Sequence, residues 1–261
     1  MAEKRKQNKI EICAYSIDSC LVAERTGADR VELCDNQQEG GTTPSYATIV
    51  YAKEHLNIDT MVMIRPRGGD FLYNDIEFSL MKEDILLCKK IGVKGLVFGL
   101  LNSDGTIDKE RTKTLIEIAK PLDVCFHRAI DVSKDYYQSV QDIISCGAKR
   151  ILTSGAANKV IEGIENIKKI QQDFGSQIEI MIGSGVNSSN ISLLKETTNV
   201  NNFHLSAKTS IDSKMQFRHP KVSMGGNNLD EYSINIASEE EIKKVIEKLS
   251  YKNLHDFCFS V

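Results

Sequence analysis

Eight short apolar runs, each followed by a stretch with helical spacing, constrain this 261-residue chain more than any other feature. The runs fall at 10–14, 30–34, 60–64, 95–98, 123–127, 150–153, 179–182 and 202–205. They are brief and rich in Val, Ile and Phe, the character of parallel strands covered on both faces. Between them the spacing predicts helices at 17–26, 44–55, 76–91, 109–119, 136–146, 159–174 and 189–196, with an eighth at 239–248 after a longer excursion. In the third, Phe78, Met81, Ile85 and Cys88 recur at three- and four-residue steps and mark one helical face. Thr43 before Pro44 reads as an N-cap with proline at the first helical position. Gly27, Gly92 and Gly147 stand where a left-handed residue ends a helix.

Eight β–α units can close into a barrel or open into a doubly wound sheet. The first strand runs into Ala14-Tyr15-Ser16-Ile17 rather than a glycine-rich phosphate turn, which weakens the open alternative. The length also suits one barrel, which takes roughly 250 residues. The expectation is therefore an α/β fold: a single-domain (β/α)8 TIM barrel over 10–261, preceded by a basic N-terminal tail at 1–9. A polar insertion at 208–235, containing Met224-Gly225-Gly226, should lie over the C-terminal mouth of the barrel, where such folds place function. Internal repetition is confined to Gly27-Ala28-Asp29-Arg30 and Gly147-Ala148-Lys149-Arg150, each just before a strand.

A formal net charge of −3 gives no reason to expect nucleic acid or an anionic membrane surface as partner. No apolar stretch approaches the 18 or so residues of a membrane span. The charged first residues lack a signal-peptide core, so a cytoplasmic location is expected. Seven cysteines, an odd number with no C-x-x-C pair, make a poor disulfide framework.

Chemistry concentrates at the strand ends. Strand one carries Glu11-Ile12-Cys13 and strand two Glu32-Leu33-Cys34. Period-two alternation puts each Glu on the same face as its Cys. If both pairs point inward, two thiols and two carboxylates meet at one side of the mouth. Two thiolates suit a soft ion such as Cu(I) and suit Mg²⁺ or Ca²⁺ poorly. Buried carboxylates need cations or donors, and Arg65, Arg67, His127 and Arg128 stand at the ends of strands three and five. Two readings stay open: an internal salt-bridge network of Glu11, Glu32, Arg65 and Arg128, or a polar cup in which Glu11, Glu32, Arg65, His127 and Arg128 act on a small anionic metabolite, phosphorylated or not. Gly183, Gly185 and Ser206, after strands seven and eight, are candidates to hold a phosphate on backbone N–H groups, as is Ser154-Gly155 after strand six. His204, inside the last strand, reads as a hydrogen-bonded core histidine. His219 stays unassigned, and His55 and His255 fall on helix surfaces.

Taken together, several segments resemble the CutC copper-homeostasis family. They are Glu11-Ile12-Cys13, the run Gly27 to Cys34, Glu39-Gly40-Gly41-Thr42-Thr43-Pro44-Ser45, Met63-Ile64-Arg65-Pro66-Arg67-Gly68-Gly69-Asp70-Phe71, Phe98-Gly99-Leu100-Leu101, Phe126-His127-Arg128-Ala129, Arg150-Ile151-Leu152-Thr153-Ser154-Gly155 and Met224-Gly225-Gly226. The resemblance runs from about Glu11 to the last helix. It implies a TIM barrel, a cytoplasmic protein that self-associates, usually as a dimer, and Cu(I) binding for copper storage or trafficking with Cys13 and Cys34 as ligands. The seventh loop departs from it, with Ile182-Gly183-Ser184-Gly185 where Pro-Gly-Gly-Gly is frequent.

Overall fold

A computed structural model of the protein describes residues 8–222 and 230–255. Eight parallel strands close into a barrel in sequence order: β1 Lys9–Ala14, β2 Arg30–Leu33, β3 Asp59–Met63, β4 Gly95–Phe98, β5 Asp123–Phe126, β6 Arg150–Thr153, β7 Glu179–Ile182 and β8 Asn202–Leu205, with β8 paired to β1. Helices α1 Ile17–Thr26, α2 Tyr46–His55, α3 Asp75–Ile91, α4 Lys109–Ala119, α5 Tyr136–Cys146, α6 Ile164–Phe174, α7 Ile191–Thr198 and α8 Glu239–His255 cover it. After β8 the chain forms an antiparallel pair, β9 Lys208–Asp212 and β10 Ser233–Ala237. Asn235 of β10 hydrogen-bonds the Gln37 side chain at 3.0 Å, in the loop beyond β2, so this pair leans over the C-terminal mouth. The Met224-Gly225-Gly226 motif, Cys258 and the first seven residues lie outside the described residues. No described helix is long and apolar enough to cross a membrane.

The strands are apolar on their outer face and mixed within. Ile10, Ile12, Val31, Leu33, Val62, Phe98, Phe126, Ile151, Ile180 and Phe203 pack against the helices in one core. Inside the barrel, Cys34, Met61, Met63, Val97, Cys125, Leu152 and Met181 form a smaller cluster. The polar positions that alternate with the outward set therefore face inward with it.

Helix ends follow local chemistry, with two differences from expectation. Gly27, Gly92 and Gly147 close α1, α3 and α5 at φ of 86°, 81° and 90°. The N-cap of α2, however, is Ser45, whose hydroxyl accepts the Thr48 N–H at 3.2 Å. Thr43 is not that cap, because its hydroxyl is taken by the Arg65 N–H at 2.9 Å. Helix α6 begins at Ile164 rather than near residue 159 because two glycines first cross backbone to backbone. A Cβ on Gly155 would lie 2.3 Å from the Gly163 carbonyl oxygen, so the chain must turn through this crossing before it can wind.

Candidate functional site

The site is built by strand register. Glu11 of β1 lies opposite Arg30 of β2 and His204 of β8, and Cys13 lies opposite Glu32. Cys34 stands one step beyond β2. The two Glu-x-Cys segments are thus not level; the stagger of strands in a closed barrel slides the second against the first by two residues. The Glu11 carboxylate accepts from Arg30 Nε at 2.9 Å and lies 2.9 Å from His204 Nδ1. Glu32 Oε2 lies 3.4 Å from the Cys13 sulfur, 3.5 Å from the Cys34 sulfur and 3.7 Å from His204 Nε2. The sulfur of Cys13, a carboxylate oxygen of Glu32 and an imidazole nitrogen of His204 all lie within 4.8 Å of one another.

These groups partition charge between them. Burial alone would raise the Glu11 pKa, but the hydrogen bond and charge of His204, with Arg30 and Arg150, bring it down to about 2. Burial likewise disfavours a charged His204, yet the surrounding carboxylates and the Cys13 sulfur hold its pKa well above the ordinary value. A hydrogen bond from Cys34 lowers the Cys13 thiol well below its usual range against the cost of burial, and His204 assists. Burial raises both Glu32 and Cys34. The shifts run in opposite directions across the group: Cys13 is biased toward thiolate and His204 toward its protonated form, while Glu32 and Cys34 are biased toward their neutral forms. A thiolate held this way is a nucleophile or a soft metal ligand.

A cavity of about 340 Å³ opens over this group at the C-terminal mouth. Cys13, Glu32, His204, Arg65, His127, Arg128, Gly185 and Ser206 line it. Cys34 lies behind, 2% exposed, under the Gly40–Gly41 loop, where a Cβ on Gly41 would sit 3.2 Å from its sulfur.

The network expected among Glu11, Glu32, Arg65 and Arg128 is not formed. Arg65 and Arg128 stand beyond the strand ends, above the level of Glu11. The internal cations are Arg30 and Arg150, each at the first position of its strand, with Arg150 also paired to Glu179 at 2.9 Å. Arg65 donates to the carbonyls of Glu39, Gly41 and Gly69. Arg128 pairs with Asp131 at 2.8 Å and reaches the Ser154 hydroxyl. The expected anion site at Ser154-Gly155 is already filled: Asp131 accepts from the N–H groups of Ser154 and Ala156 and from the hydroxyls of Thr153 and Ser154. Gly183 also differs from expectation. Its N–H donates to the Thr153 carbonyl at 3.0 Å, and a side chain there would strike Leu152 and His204. It is a packing glycine that makes room for the imidazole.

From the sequence His204 reads as a core histidine, and Arg30, Arg150 and Asp131 are not among the candidate site residues. The repeated Gly-Ala-x-Arg was the available signal for two of them, because it marks equivalent first positions on β2 and β6.

A closed β/α barrel with a cysteine sulfur, a carboxyl and an imidazole gathered at its C-terminal mouth defines the class: a barrel protein whose site suits a soft metal ion or nucleophilic chemistry. The model of the CutC family matches residues 8–209, and the chain belongs to that family. A CutC family protein of Chromobacterium violaceum is 41% identical over 240 residues, spanning 92% of this chain and 97% of the relative. The human copper homeostasis protein cutC homolog is 42% identical over 235 residues, 90% of this chain and 86% of its own. The crystal structure of CutC from Streptococcus agalactiae superposes with a TM-score of 0.73 at 38% identity, covering 77% of this chain and 99% of that one. A phosphoribosylanthranilate isomerase from Pyrococcus furiosus shares the fold alone, at a TM-score of 0.56 and 11% identity over 95% of this chain and 100% of that one.

Proposed function

We propose that this protein serves copper homeostasis by binding Cu(I) through Cys13 and Cys34, with His204 Nε2 as a neighbouring nitrogen donor once the ion displaces its proton. The observation that carries the reading is the convergence of both sulfurs on one Glu32 oxygen, at 3.4 and 3.5 Å, with Cys13 biased toward thiolate. Two sulfurs and an imidazole form a soft donor set, which favours Cu(I) over hard cations. Cys13 meets the cavity and Cys34 backs it, so an ion arriving through the mouth reaches Cys13 first. The names of the human and Dictyostelium discoideum relatives, both copper homeostasis protein cutC homologs, point the same way.

The test is an anaerobic competition titration against a strong Cu(I) chelator, with the parent and the Cys13→Ser/Cys34→Ser variant. The parent should hold about one Cu(I) per chain and the variant should release it, with affinity falling at least about 100-fold as two thiolate ligands are lost. Equal loss to the chelator by both proteins would make the pair core thiols and end this reading.

A further inference from the structure

We propose that the mouth cavity is also a binding site for a small organic oxyanion, a carboxylate or a phosphate ester, seated on His127 and Arg65. The site needs no metal and uses groups the copper reading leaves idle.

His127 is 4% exposed and lines the cavity. Its Nδ1 accepts the Ala129 N–H at 3.2 Å, where the ring caps the 3₁₀ turn Arg128–Val132. Burial and the Arg65 and Arg128 charges lower its pKa to about 3, so the ring is neutral near pH 7. A neutral ring whose Nδ1 accepts must carry its proton on Nε2. That Nε2–H is buried and has no acceptor among the described residues. A buried donor left without an acceptor costs roughly 1–3 kcal/mol, which an acceptor oxygen of a ligand would recover. The same protonation state makes His127 a donor rather than a base.

Arg65 is the second observation. It is 5% exposed, its terminal nitrogens reach three carbonyl oxygens, and its Nε has no partner. No carboxylate among the described residues lies within 4.0 Å of it. A buried guanidinium without a counter-charge is costly unless an anion arrives. Phe71 fixes both groups: the guanidinium carbon lies 5.0 Å from its ring centre and the imidazole 4.9 Å from it. The cavity floor and walls are otherwise partly apolar, with Met63, Leu152, Val186 and Leu205, as suits a ligand with a carbon skeleton. Asp131 supplies the contrast. Where this chain satisfies such donors internally, as in the loop after β6, it places a carboxylate on them. Glu32 and Glu39 line the same cavity, yet no carboxylate hydrogen-bonds His127 Nε2 or Arg65 Nε.

The experiment uses metal-free full-length protein labelled with ¹⁵N-histidine. Acetate and succinate form one arm, inorganic phosphate and glycerol phosphate the other. Calorimetry and the His127 nitrogen resonances are followed in each. Saturable binding in at least one arm is expected, with Nε2 moving and Nδ1 still, and the arm that saturates identifies the oxyanion. His127→Phe, which keeps a ring against Phe71, should weaken binding about tenfold or more, and His127→Gln, which restores an N–H, should recover most of it. Should neither arm saturate by about 10 mM, weaker than useful recognition, or should His127→Phe bind as the parent does, the proposal is overturned. Because copper is absent throughout, this outcome is independent of the fate of the copper reading.

Discussion

At the scale of single residues, the centre of the molecule is a set of groups that hold one another's protons. Glu11 is fully buried, and its partners Arg30 and His204 each lie 2.9 Å away. Its pKa falls from an ordinary 4.5 to about 2 in the folded state. A carboxyl depressed on folding adds stability above its unfolded value, and the gain is lost as pH falls through the folded one. The metal-free protein should therefore lose stability between pH 4.5 and about 2. His204 contributes with the opposite sign: its raised pKa adds stability below the ordinary imidazole value, which disappears as pH rises through the folded value. Glu11→Gln should flatten the acid limb and cost roughly 3 kcal/mol at pH 7, since Arg30 and His204 are left without their anion. Urea unfolding at stepped pH checks this; an unchanged acid slope in the variant would mean that other carboxylates govern it.

At the scale of elements, loops at the mouth are fastened by side chains rather than by regular structure. Asp131 ties the turn after β5 to the loop after β6 through Thr153, Ser154 and Ala156, with Arg128 as counter-charge. Its side chain is 4% exposed, so replacing it leaves several buried donors without an acceptor. Asp131→Asn should cost roughly 2–4 kcal/mol and loosen the 154–157 segment. Hydrogen exchange of the Ser154 and Ala156 amides would report it, and parent-like protection there would contradict it. Local spacing foretold which stretches are strands and helices, because each carries its own periodicity. It misplaced the α2 cap and the α6 start, because Thr43 is claimed by β3's end and the Gly155–Gly163 crossing comes from chain segments packing together.

At the scale of the whole molecule, the site straddles the seam that closes the barrel. Cys13 comes from β1, Glu32 from β2 and His204 from β8, the two strands that flank β1. Opening the β1–β8 seam would separate Cys13 from His204, so a ligand held across both fastens the two ends of the chain. Cu(I) at about 100 times its dissociation constant should stabilise the parent by about 2.7 kcal/mol and leave the Cys13→Ser/Cys34→Ser variant unmoved. Anaerobic denaturant unfolding with and without the ion tests this, and equal stabilisation of both proteins would place the ion elsewhere.

The sequence by itself determined the β–α alternation, the eight strands, the helix-ending glycines and the presence of thiols and carboxylates on strands that should be apolar. Each of these is written in local periodicity or in a residue's own conformational range. The repeated Gly-Ala-x-Arg was legible too, although its meaning, two guanidinium groups delivered to the barrel interior, was not. Only the tertiary structure decided which groups meet. Glu11 and His204 are 193 residues apart, and the two-residue slide between β1 and β2 sets Cys13 level with Glu32, with Cys34 beyond the end of β2. Alternation fixes the face a side chain takes, but the level at which it stands depends on the stagger that closing eight strands imposes on all of them at once.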